Sequence, residues 1–140
     1  MTTVSNLARP AAPASAFGFL RTVIRVDAIA SGLSGLMLLV VGMGIVDDFT
    51  GLPSWFQTVG GAFLVVFGLG GVLLASRPRP PRGLVWAMVV VNAVWVVDTA
   101  VLLIAQVWPL TAAGVALMIV QAVAVGVFAE LEYVGLRRTR

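Results

Sequence analysis

One acidic residue stands alone inside a long apolar run: Asp98, preceded by Val96 and Val97 and followed by Thr99, Ala100 and Val101. A carboxylate in hydrocarbon costs about 2.5 to 3.5 kcal/mol on insertion scales, so it must face other helices or water and find a partner. Gln121, at a matching depth in a later apolar run, is the expected partner. The chemistry would be that of an intramembrane proton or cation site. The structural alternative is a buried hydrogen bond between helices, and the sequence leaves both open. Asn92, Trp95 and Thr99 are spaced by three and four residues, so on a helix they align. They either line a small polar pocket or bond neighbouring helices while the indole fills the bundle core.

The other acids read as shallow. Asp27 shares a helical face with Ser31 and Ser34 and is expected near the membrane boundary, paired with Arg82 or another loop arginine. Glu130 and Glu132 are expected to pair with Arg21 or Arg25. Cysteine and histidine are both absent, which excludes disulfides, thiol nucleophiles, thiolate or imidazole metal sites and Ser-His-Asp catalysis. No glycine-rich nucleotide motif or haem motif is present, so no cofactor is expected. An enzyme would have to work with carboxylates alone, and these lie at separate depths. The expectation is therefore a chain that is not an enzyme, with no catalytic residue and no metal site.

The elements that carry these residues follow from hydropathy. The chain is 60% hydrophobic and 11% charged, with a mean hydropathy of +1.05, far from the profile of a soluble domain. A hydrocarbon core about 30 Å thick needs on the order of 20 apolar residues as a helix. Four such segments are present, at about 26–46, 55–75, 84–107 and 110–130. Backbone amides in lipid must be bonded within the protein, and these valine-rich runs are too long and too unalternating for barrel strands, so the expected fold class is all-α, a four-transmembrane-helix bundle over residues 17–136. Residues 1–16 are expected to be a disordered cytoplasmic start and 137–140 a basic tail. Phe17, Leu20 and Ile24 predict a short interfacial helix ahead of the first span, and Pro109 suits the first turn of the fourth.

All nine basic residues are arginines and all fall on one side of this arrangement. Arg9, Arg21 and Arg25 precede the first span, Arg77, Arg79 and Arg82 form the middle loop, and Arg137, Arg138 and Arg140 follow the fourth. The opposite side has Asp47 and Asp48 and no base. The positive-inside rule then places both termini and the arginine loop in the cytoplasm. Such a distribution marks topology and lipid headgroup contact at Arg77, Arg79, Arg82, Arg137 and Arg138, and argues against nucleic-acid binding. Lipid gives helices no hydrophobic reason to associate, so packing relies on small residues. Ala28, Gly35 and Gly42 recur every seven residues in the first span, and Gly61, Gly68 and Ala75 do so in the second, predicting a tight antiparallel hairpin. Ala122, Gly126 and Ala129 offer a comparable groove in the fourth.

The small-residue span after Arg25-Val26-Asp27, the Arg77-Pro78-Arg79-Pro80-Pro81-Arg82 loop, Asn92-Ala93-Val94-Trp95 and the Glu130-Leu131-Glu132-Tyr133 segment together resemble a widespread group of small bacterial four-span membrane proteins. In outline the chain is also similar to the DoxX-like four-span proteins. The resemblance implies a four-helix bundle in the bacterial cytoplasmic membrane and transfers no catalytic or ligand residue. Two functions are then expected to compete. One is a non-enzymatic interaction or accessory subunit whose partner, or a second copy of the chain, carries the activity. The other is a small oligomeric transporter or channel with a proton or cation site at Asp98.

Overall fold

The computed structural model describes residues 14–45 and 47–140. Four helices run through them: α1 (Ala14–Gly42), α2 (Ser54–Ser76), α3 (Arg82–Ile104) and α4 (Ala112–Arg138). Each is long and apolar enough to cross a membrane. Only 22% and 17% of the most apolar stretches of α3 and α4 are buried within the molecule, against 39% in α1 and α2. The outward faces are Val, Leu and Ile, so lipid must solvate what protein does not cover. The chain is a multi-pass membrane protein.

The helices alternate in direction, which gathers the arginines among the described residues at one end of the bundle and Asp47 and Asp48 at the other. The expected disordered start lies largely outside the described residues, but Ala14, Ser15 and Ala16 already belong to α1. The expected interfacial helix is likewise no separate element: α1 is continuous for 29 residues, about 43 Å, so its first turns carry Arg21 and Arg25 at the boundary. It stops short of Val46. Gly44 takes a left-handed φ of +72°, and its amide and that of Ile45 turn back onto the carbonyls of Val41 and Val40. That pattern closes a helix with a glycine past its end. The third span also ends early, because Gln106 adopts φ +49° and the amides of Gln106 and Val107 return to Leu103 and Leu102. Pro109 lies before α4 instead of in its first turn; Thr111 is the cap, its hydroxyl accepting from the Gly114 amide at 3.0 Å. At its far end α4 continues eight residues past the expected limit, to Arg138.

α1 packs on both α2 and α4, and α3 packs on α4. Between α1 and α2 the backbones nearly touch. A Cβ added to Gly35 would sit 2.7 Å from the Gly61 carbonyl oxygen, and one on Gly61 would sit 2.7 Å from that of Gly35. One turn pair away, Gly68 lies against Ala28 and Gly32, and Gly42 against Gln57 and Thr58. Ala75 is fully buried beside Leu20, Ile24, Leu74, Val85, Met88 and Leu136, a core to which all four helices contribute at the arginine-rich end. α4 has no such seam at Gly126, whose nearest neighbour would be Val96 at an ordinary 3.8 Å.

At the acidic end the first loop is laced to the start of α4. Thr111 donates its amide to the Thr50 carbonyl at 3.0 Å and its hydroxyl to the Phe49 carbonyl at 2.6 Å. Gly114 lies so close to the Thr50 carbonyl that no side chain fits there.

Candidate functional site

Two polar sites lie at different depths. The deeper consists of Asp27 on α1, Asn92 on α3 and Glu132 on α4. Asn92 donates its amide to Asp27 Oδ2 at 3.0 Å and approaches Glu132 Oε2 at 3.4 Å, while the Ser31 hydroxyl donates to Asp27 Oδ1 at 3.2 Å. Both carboxylates are completely buried, and Glu132 Oε1 has no hydrogen-bond partner. Asn92 stands ten residues from the start of α3, about 15 Å along the helix, so the cluster is near mid-membrane. Helix direction explains how Glu132 reaches it. Side chains lean toward the N-terminus of their helix, which for α4 means away from the arginines and into the membrane.

This placement corrects three expectations. Asp27 and Glu132 are not shallow, and neither is paired with an arginine. Arg21 donates from Nε to the Ala75 carbonyl at 2.9 Å, and Arg82 from Nη1 to the Leu136 carbonyl at 3.0 Å. Both guanidinium groups thereby satisfy carbonyls in the last turns of α2 and α4, where a cation also complements the helix dipole. Arg25 and Glu130 are exposed. The other basic residues decorate the same end: Arg79, Arg137 and Arg138 lie 5.9, 5.8 and 5.1 Å from the rings of Phe17, Tyr133 and Phe19, and Arg77 follows α2 in the exposed loop. Of the two readings of the Asn92–Trp95–Thr99 face, Asn92 follows the one in which it bonds neighbouring helices, α1 and α4, while Trp95 and Thr99 line the shallower cavity.

The shallower site is a cavity of about 340 Å³ toward the acidic end, within the range of small-molecule sites. Trp55, Phe56, Trp95 and Trp108 wall it together with Leu52, Leu102 and Met118, and its polar groups are Asp98, Thr99 and Gln121. The aromatic wall is built from contacts between rings. Phe56 and Trp108 lie 4.7 Å apart, and Trp55 meets Trp108 edge-on at 6.2 Å. α2 and the link before α4 supply these rings, so the loop that ties Phe49 and Thr50 to Thr111 also fixes the cavity. Asp98 is six residues from the end of α3, about 9 Å, and is exposed, not buried at mid-membrane. It makes no hydrogen bond to Gln121 among the described residues. The two share a cavity wall instead.

Gln121 also borders a second cavity of about 210 Å³ between α1 and α4, lined by Asp27, Ser31 and Ser34. One side chain thus touches the space beside each site.

Four membrane-length helices around an interior acid cluster, with an aromatic cavity at one end, define a small multi-pass helical membrane protein. No family model, curated protein or solved structure matches the chain.

Proposed function

We propose that this protein is a small non-enzymatic transporter or binding subunit of the bacterial cytoplasmic membrane that takes an organic cation into the aromatic cavity beside Asp98. The observation that carries the reading is the cavity itself: four aromatic rings and one carboxylate that no cation among the described residues pairs with. Aromatic faces attract a cation electrostatically, by on the order of 2 kcal/mol when the cation is desolvated, and they accept its apolar groups as well. Asp47, Asp48 and Asp98 all lie at this end and every arginine among the described residues at the other, so the local field draws positive charge to the cavity and repels anions. The positive-inside rule puts the arginines in the cytoplasm and opens the cavity to the outer face. An accessory subunit acting only through a partner would need neither the cavity nor its carboxylate.

Tetraphenylphosphonium is a suitable probe, because Trp55, Trp95 and Trp108 report its arrival by fluorescence quenching. The purified protein should bind it, and Asp98→Asn should weaken binding at least tenfold with the helical circular dichroism unchanged. Equal affinity of the two proteins would refute the reading.

A further inference from the structure

We propose that Asp27 and Glu132 form a proton-binding site that exchanges its proton through the cavity lined by Ser31, Ser34 and Gln121, toward the aromatic cavity. The inference stands independently of the organic-cation reading, since it concerns different residues at a different depth.

Charge balance is the first reason. Two carboxylates converge on the single amide of Asn92 in the buried interior, and two negative charges so placed require a compensating positive charge. Among the described residues no side chain supplies it. Arg21 and Arg82 are engaged on carbonyls, Arg25 is exposed, and Arg137 and Arg138 lie over aromatic rings at the boundary. α2 contains no ionisable residue, and the remaining acids on α3 and α4, Asp98 and Glu130, are exposed and offer no cation. The second reason is independent of the cluster's internal bonds: Glu132 Oε1 is fully buried and has nothing to bond with. A buried acceptor left empty is costly, and a proton on the carboxyl pair removes one charge while supplying the missing donor. A metal ion is a weaker candidate, because Asn92 turns its NH₂, a donor, toward both acids, and no group of three acidic ligands exists among the described residues.

Access is asymmetric. Toward the arginine-rich end the cluster is closed by Leu20, Ile24, Val85, Met88 and Leu136, all nearly or completely buried. On its other side Asp27 borders the 210 Å³ cavity with Ser31, Ser34 and Gln121, and Gln121 also walls the larger one. Hydroxyl and amide side chains at these positions can relay a proton with water between them. The step is simple: a hydronium ion in the cavity gives its proton to one carboxylate, leaving a carboxylic acid and a water molecule, and the reverse returns it.

Infrared spectroscopy of the full chain in lipid nanodiscs tests the site directly. At neutral pH the wild-type spectrum should contain the C=O stretch of a protonated carboxylic acid, retained in Asp98→Asn and lost in the double variant Asp27→Asn/Glu132→Gln. Transfer to D₂O should shift the band, and Gln121→Leu should slow that shift at least tenfold. The wild-type spectrum needs no variant to fold, and absence of the band there would overturn the site. Persistence of the band in the double variant would do the same, and an unslowed exchange in Gln121→Leu would overturn the path.

Discussion

Asp48 shows how one side chain organises the acidic end. Its Oδ1 accepts from the Thr50 amide at 2.9 Å and the Thr50 hydroxyl at 2.7 Å, and its Oδ2 accepts from the Gly51 amide at 3.1 Å. The Thr50 hydroxyl first, then the Thr50 amide, hold this carboxyl below its ordinary range. A carboxyl whose pKa is depressed by folding contributes stability above its unfolded value and loses it as pH falls through the folded one. Amide exchange at Thr50 and Gly51 should therefore accelerate below about pH 4, and Asp48→Asn should remove that dependence. The effect is small, under about 1 kcal/mol, because solvent screens so exposed a group. At the same scale, sequence reading recognised Asp98 and the Trp95–Thr99 face as polar features of an apolar helix, and the structure puts all three with Gln121 on one cavity wall. It did not find the Asp27–Asn92–Glu132 cluster. Apolar windows end where charges begin, so they placed both acids at the boundary, whereas α1 starts twelve residues earlier than its window and α4 ends eight later. The seven-residue register of Asn92 and Thr99 was visible, but not that the helix turns one toward the acids and the other toward the cavity.

The α1–α2 seam carries a sharper consequence at the level of elements. Gly61 has backbone atoms of Gly35 and Leu39 at 2.7 and 2.9 Å from the position of a Cβ, while Gly70, on the same helix, has nothing within 4 Å. Gly61→Val should thus push the helices apart and lower the melting temperature in detergent, at a cost of about 1 to 3 kcal/mol typical of overpacking. Gly70→Val should leave it nearly unchanged. A matching loss in both variants would mean that the seam does not hold the hairpin. Small residues at a seven-residue repeat are legible in sequence because backbone approach needs them and little else does. Glycine alone is a weaker sign: Gly126 on α4 also has small residues beside it, Ala122 and Ala129, yet it meets α3 only at the ordinary 3.8 Å of a Val96 side chain. Helix ends were the least legible, since Gln106 in a left-handed turn carries none of the glycine signal that marks Gly44.

The whole molecule has a polarity that its fold sets, with the arginines among the described residues at one end and Asp47 and Asp48 at the other. Apolar residues and arginines alone sufficed to read four crossings and their alternation, because unalternating apolar runs of about 20 residues can satisfy their backbone in lipid only as helices. The structure alone shows how the interior divides: a sealed core at the arginine-rich end, an acid cluster at mid-depth, and an aromatic cavity toward Asp47 and Asp48. The central claim is that this cavity admits a cation from the face opposite the arginines. The chain has no cysteine, so Leu102→Cys places a single thiol on the cavity wall beside an intact Asp98. A charged, membrane-impermeant thiosulfonate applied to intact cells should modify that thiol from outside, and tetraphenylphosphonium should slow the reaction at least tenfold, with protection lost when Asp98→Asn is added. A thiol that does not react from outside, or one that reacts equally fast with and without the cation, would contradict the account.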